Sequence, residues 1–229
     1  MRKRSLSAKS VIRIKHRTLS LGGEWGNCVG EIDRTGVVFF WGGSGNGKTS
    51  AVVSFAKELS THGRVLYVSL EEGYTFSFQN TLRRFDMQEC NSNFMVLAET
   101  TIEDLSSRLL LPRSPEFVVI DSFQYLQMTY RQYIAFKERH RDKMLIFVSH
   151  ADGKQPAGRA AKSVMFDAGL KIWVEGHMAF SKGRFIGPTG KAVIWEQGAE
   201  QYWGIATNEI EEYEDTERSQ KMAASAILV

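Results

Sequence analysis

Gly42-Gly43-Ser44-Gly45-Asn46-Gly47-Lys48-Thr49 is the stretch that decides how the rest of this chain is read. It matches the pattern G-x-x-x-x-G-K-[ST]. It stands between a short apolar run, residues 37–41, and a stretch of helical periodicity, residues 49–61, in which Val52, Val53, Ala56 and Leu59 recur on one face. Glycines let the backbone curl so that several N–H groups face inward, and the helix that follows adds the partial positive charge of its N-terminus. Such a loop cradles phosphate. Lys48 supplies a mobile cation for the β- and γ-phosphates and Thr49 a hydroxyl ligand for Mg²⁺. The residues Gly42, Gly43, Ser44, Gly45, Asn46, Gly47, Lys48, Thr49 and Ser50 are therefore expected to bind ATP with Mg²⁺. A glycine-rich turn without a ligand would need no lysine followed by threonine.

Outward from the loop, strands and helices alternate. Residues 65–70, 117–120 and 144–149 are short apolar runs that read as buried strands, and residues 75–87, 101–111 and 125–141 read as helices. Thr101, with Glu103 and Asp104 in the first turn, marks one helix start. Beyond residue 149, residues 170–174, 177–180 and 192–195 read as strands joined by turns, with no helix between them. Alternation of this kind predicts an α/β fold: a mostly parallel central sheet covered by helices on both faces, ending in antiparallel strands.

Two acids fall where a nucleotide site needs them. Phe117-Val118-Val119-Ile120 leads into Asp121, placed to hold Mg²⁺ through its water shell, and the strand at 65–70 delivers Glu71 and Glu72. Strand ends in an open α/β sheet converge on the ligand crevice, so one of these glutamates faces the γ-phosphate and activates water; Glu71 is preferred.

A chain of 229 residues with 43% hydrophobic content buries one substantial core and has no room for two large domains. The expected division is a basic arm at residues 1–21, an ATPase core at 22–208 and an acidic tail at 209–229. Apolar runs are far too short to cross a bilayer, and no apolar h-region follows the basic start, so no membrane association and a cytoplasmic location are expected. Cys28 and Cys90 have neither metal-ligand spacing nor a partner close in sequence, which suits ordinary thiols in a reducing compartment. Net charge is only +3, but seven cations precede the first acid, Glu24, whereas Glu209, Glu211, Glu212, Glu214, Asp215 and Glu217 crowd the other end. The basic arm reads as a contact for nucleic-acid phosphate, as a solvated tail leading to an edge strand at residues 11–16, or as a transit peptide. The acidic run reads as a solvated face or tail.

From about residue 37 to residue 195 the sequence resembles the RecA-like ATPases, in particular the RadA-type and DnaB-helicase-type branch, with KaiC as a cousin. Tyr67-Val68-Ser69-Leu70-Glu71 matches the family's catalytic-glutamate strand and Val118-Val119-Ile120-Asp121-Ser122 its metal-binding strand. The resemblance implies a three-layer RecA-like core and a polar sensor at His150. It implies a DNA-facing loop over residues 151–162, with Lys154, Arg159 and Lys162 as nucleic-acid contacts. Lys182-Gly183-Arg184, followed by Gly187-Pro188-Thr189, resembles the hairpin whose cations reach the γ-phosphate held by a neighbouring subunit. Lys182 and Arg184 are then arginine-finger-type catalytic residues acting in trans, where negative charge accumulates in the transition state. That arrangement requires a homo-oligomer, a ring or filament with a hexamer preferred. The zinc-binding, protease-like and helical accessory domains of these families have no counterpart here.

The function expected from these residues is a Mg²⁺-dependent, oligomeric ATPase acting on single-stranded DNA in recombination, repair or replication. The alternative is a KaiC-like switch that uses ATP to assemble and bind a protein partner. A small-molecule kinase is disfavoured, since no Arg-rich lid is evident and the chain is expected to end in strands.

Overall fold

The computed structural model describes residues 5–204; the acidic run at 209–217 lies outside the described residues. The strand before the glycine-rich loop, β3 (Gly36–Gly42), sits in the middle of the main sheet. On one side it pairs in parallel with β7 (Met144–Asp152), which pairs with β6 (Phe117–Asp121), then β4 (Val65–Ser69) and β5 (Phe94–Leu97). On the other side β3 pairs in parallel with β9 (Leu170–Glu175), and β10 (Met178–Gly183) and β11 (Lys191–Val193) complete the sheet in antiparallel fashion. A two-residue strand, β8 (Gln155–Pro156), folds back on the end of β7, and β1 (Thr18–Ser20) pairs separately with β2 (Glu31–Asp33). The expected fold class is what is found.

Continuous apolar runs such as Val37 to Trp41 mark strands buried on both faces. Val38 and Phe40 pack into a core shared with α2 (Gly23–Val29), α3 (Lys48–Ser60) and α4 (Phe76–Arg84). Val37, Phe39 and Trp41 pack on the opposite face against α5 (Ile102–Leu109), α6 (Tyr130–Arg139) and α7 (Arg159–Asp167). Burying each of Phe39 and Phe40 completely contributes about 1.5–3 kcal/mol.

Several expected elements are corrected. The edge strand expected at residues 11–16 is replaced by a short helix, α1 (Ala8–Ile12), because the Ser7 hydroxyl accepts from the Ser10 amide and caps it. The helix expected from residue 125 starts later, at α6: Gln127 has φ 47°, and Thr129 with Gln132 forms a capping box that begins the helix at Tyr130. The helix expected over 75–87 closes at Arg84, and a 3-10 segment, Met87–Asn93, follows. The loop expected over 151–162 is instead the β7–β8 hairpin followed by the first turn of α7. No helix separates β9, β10 and β11, as expected, but α7 precedes β9 and α8 (Glu196–Trp203) follows β11, so the described chain does not end in strands. Trp195 is the N-cap of α8, not the end of a strand.

Register aligns the carboxyl ends of four strands. Gly42 lies beside His150 and Ser69 beside Asp121, so β3, β7, β6 and β4 all discharge at one edge of the sheet. That edge carries the site.

Candidate nucleotide-binding site

At the end of β3 the chain must leave the sheet tightly. A Cβ on Gly42 would meet the Val174 carbonyl oxygen at 2.1 Å, so only glycine lets β9 approach here. Gly47, with φ 85°, then turns the chain into α3 as its N-cap, and Lys48 and Thr49 occupy the first helical positions. The Lys48 ammonium donates back to the Gly43 carbonyl at 2.8 Å, folding over the loop it serves. Burial lowers its pKa, while Glu71 and Asp121 pull it back up.

The loop is braced by the turn expected between residues 174 and 177, through contacts with Asn46 that the sequence did not flag. Gly176 and His177 both have positive φ, 51° and 61°, the conformation of a two-residue hairpin turn joining β9 to β10. The Gly176 amide donates to the Asn46 side-chain oxygen at 2.8 Å and the His177 amide to the Asn46 carbonyl at 3.2 Å. Asn46 is therefore the clip between the glycine-rich loop and the β9–β10 hairpin.

A cleft of about 450 Å³ opens over this loop, and it brings together Lys48, Thr49, Glu71, Glu72, Asp121 and His150. Asp121, at the end of β6, is buried, and Tyr67 from β4 donates to its Oδ2 at 2.5 Å. The peptide after it, Asp121–Ser122, is cis. Burial pushes the Asp121 carboxyl up to about 6; the Tyr67 hydrogen bond and Lys48 oppose this, whereas Glu71 and Glu72 add to it. Tyr67 itself is held protonated well past its ordinary range, by burial first and by Asp121 second. The Thr49 hydroxyl donates to Glu72 Oε1 at 3.2 Å, and His150 Nε2 lies 3.2 Å from Glu71 Oε2. The two adjacent glutamates thus divide: Glu72 turns to the hydroxyl at the helix start and Glu71 to the end of β7.

Among the described residues no group of three or more His, Cys, Asp or Glu is placed to hold a metal unaided. The oxygens present are a hydroxyl, Thr49, and carboxylates, Asp121 and Glu72. This donor set suits Mg²⁺, which keeps several waters and takes one or two protein ligands beside phosphate oxygens. The burial of Asp121 beside a tyrosine donor is consistent with a carboxylate that awaits a cation.

No family model and no curated protein matches the sequence. Solved structures do match. The flagellar accessory protein FlaH from Methanocaldococcus jannaschii is similar over 74% of this chain and 88% of its own, with 13% identity and a TM-score of 0.55. A KaiC-like protein from the hyperthermophilic archaeon Pyrococcus horikoshii is similar over 78% of this chain and 99% of its own, with 17% identity and a TM-score of 0.56. The fold is RecA-like.

Within this RecA-like fold the remaining expected site residues fall elsewhere. Lys182 pairs with Lys171, four residues along β10 from the Met178 that follows the hairpin turn, which places it about 13 Å from the loop end of the sheet. Arg184 lies beyond it, near Asp167. Burial opposes ionisation of Asp167, but hydrogen bonds from Lys137, at 2.7 Å, and Tyr133 outweigh it, and the charges of Lys137 and Arg184 add to them, holding the carboxyl below its ordinary range. Neither cation lines the cleft of its own chain. Lys154 sits at the β7–β8 turn, while Arg159 and Lys162 belong to the first turn of α7.

The cleft also recruits residues that sequence reasoning missed. Ser77, Thr81 and Arg84 enter from α4, and His177 and Trp195 form an edge-to-face pair, 4.9 Å between centroids, at the opposite rim. Trp195 is exposed, so this rim offers an aromatic face to a ligand. Tyr67 belonged to a recognised stretch, 67–71, but its bond to Asp121 becomes visible only in the folded sheet.

Proposed function

We propose that this protein is a Mg²⁺-dependent ATPase that works as a homo-oligomer, with a hexameric ring preferred, and that it couples hydrolysis to movement along or remodelling of single-stranded DNA. One observation carries the ATPase reading: Lys48, Thr49, Asp121 and the Glu71–His150 pair share one cleft at the carboxyl ends of four strands. Loop amides and Lys48 hold the β- and γ-phosphates. Thr49 and Asp121 face the metal position, with Tyr67 orienting Asp121 and Glu72 orienting Thr49. When bound, Mg²⁺ neutralises charge on the transferring phosphoryl oxygens. Glu71, held by His150, takes a proton from the attacking water at its carboxylate oxygen. The base stacks against the Trp195 and His177 rim.

Charge developing on the γ-phosphate needs a further cation. Arg184 does not line the cleft of its own chain, which supports its supply by a neighbour. The nucleic-acid reading rests on Lys154, Arg159 and Lys162 beside the β7–β8 hairpin. The alternative reading is a KaiC-like, ATP-driven switch that binds a protein partner; a fold shared with a KaiC-like protein suits both readings. ATPase rate with and without single-stranded DNA separates them: stimulation is expected, and a rate indifferent to DNA together with ATP-driven assembly would replace the first reading by the second.

A further inference from the structure

One face of the sheet carries a row of aromatic rings that the nucleotide cleft does not use. Trp41 on β3, Trp173 on β9 and Phe180 on β10 are register partners across three strands, and the two indoles lie 5.5 Å apart. They line a cavity of about 440 Å³, closed at one rim by Trp203 of α8, which meets Phe180 edge to face. Both strand indoles have their N–H groups occupied already: Trp41 donates to the Lys154 carbonyl at 3.2 Å and Trp173 to Glu175 at 2.9 Å. Trp41 is buried, so the ring faces open to a ligand are those of Trp173 and Phe180, both partly exposed, with Trp41 backing them.

Lysines surround this row. Lys171 and Lys182 are themselves register partners, two residues or about 6.6 Å along the same strands from Trp173 and Phe180, and Lys154 closes the cavity from the β7–β8 turn. Like charges placed directly opposite each other destabilise an antiparallel pair. Among the described residues no carboxylate makes an ion pair with any of the three. The one acid lining the cavity, Glu175, is engaged by Trp173 and Tyr202. An unrelieved lysine pair beside tilted aromatic rings leaves positive charge that a ligand can neutralise.

We propose that this cavity seats a base of single-stranded nucleic acid on the Trp41–Trp173–Phe180 row, with Lys154, Lys171 and Lys182 meeting the adjoining phosphates. Rings and cations at this spacing are how proteins hold single strands without reading sequence: stacking accepts any base, and phosphate contacts supply salt-dependent affinity. The inference rests on the nucleic-acid reading above and gives it a place. It assigns Lys182 to the strand and leaves Arg184 as the cation for a neighbour's phosphate.

The test is a titration of tryptophan emission in the full chain with oligo-dT, at several salt concentrations, on the wild type, Lys171→Ala, Trp173→Leu and Trp173→Phe, with basal ATPase measured on the same samples. Saturable quenching is expected. Trp173→Leu should weaken binding by roughly 5- to 150-fold, the loss of one base stack, and Trp173→Phe should restore much of it. Lys171→Ala should reduce the salt slope by about one and leave basal ATPase unchanged. Should Trp173→Leu fail to fold, Lys171→Ala decides alone. If the wild type binds oligo-dT and the variants bind equally well, this site falls and the nucleic-acid reading stands. If the wild type does not bind at low salt, both fall. If emission instead responds only to protein concentration, the cavity is an interface between copies and the proposal is overturned. Binding that persists without any ATPase leaves this site standing and removes the enzymatic reading.

Discussion

Tyr67→Phe is the most informative single change, because it alters the environment of Asp121, the carboxylate proposed to face the metal, without replacing it. The ring stays, packed against Phe78 and Phe94 with centroids 5.2 and 6.0 Å away, and only the hydroxyl donating to Asp121 is lost. Burial already raises Asp121 from its ordinary 3.8 to about 6, with that hydrogen bond working in the opposite direction. A hydrogen bond to a charged group contributes about 1.5–3 kcal/mol, so its loss moves the carboxyl up by about one to two further units. A proton then competes with Mg²⁺ over a higher pH range. Apparent Mg²⁺ affinity, read from binding of a fluorescent ATP analogue, should fall about 5- to 50-fold at about pH 6 and about 2- to 10-fold at about pH 7, and recover by about pH 9. The sign is fixed by ionisation: the metal takes the carboxylate, which the variant forms only at higher pH. An identical Mg²⁺ dependence in the two proteins across this range would refute the assignment of Asp121 to the metal.

Other expectations follow from the divided roles of the site. Glu71→Gln should keep nucleotide binding and lose turnover by about 10²- to 10⁴-fold, whereas Glu72→Gln should chiefly weaken Mg²⁺ dependence; pre-steady-state phosphate release distinguishes them, and the opposite pattern would exchange the two residues. Arg184→Ala should be inactive alone and partly rescued in mixed oligomers with Lys48→Ala, since each then supplies what the other lacks. No recovery at any mixing ratio would count against action in trans. His140 is buried, with Nε2 2.8 Å from the Ser106 hydroxyl and Nδ1 without a partner, and burial lowers its pKa from the ordinary 6.5. The unfolded chain therefore binds the proton more readily. The stability this residue contributes is present above about pH 6.5 and is lost as pH falls through its lower folded value, so thermal unfolding of His140→Gln should show a shallower acid decline than the wild type.

How much of this was legible beforehand depends on whether the signal was local. The glycine-rich loop, the strand ending in Asp121 and the strand delivering Glu71 are each short contiguous patterns, and the sheet brings all three to one edge. The Tyr67–Asp121 bond, the Asn46 clip to the Gly176–His177 turn and the Trp41–Trp173 pair join residues from 54 to 132 positions apart, and only the folded sheet reveals them. Helix limits were misread where capping outweighed periodicity, as at Thr129, and where a polar stretch concealed a helix start, as at Arg159. Lys182 and Arg184 were read together from one motif. The end of β10 separates them, sending Lys182 to the aromatic cavity and Arg184 towards Asp167.

A cleft that hydrolyses ATP only when completed by a second copy ties activity to assembly. Its most direct test is the phosphate-release rate per chain from Mg²⁺-ATP as protein concentration rises, measured alongside solution mass, with Lys48→Ala as the control. Activity per chain should climb with the assembled fraction and be absent in Lys48→Ala. A monomer that hydrolyses ATP at the full rate, or an assembled protein that does not hydrolyse it at all, would contradict it.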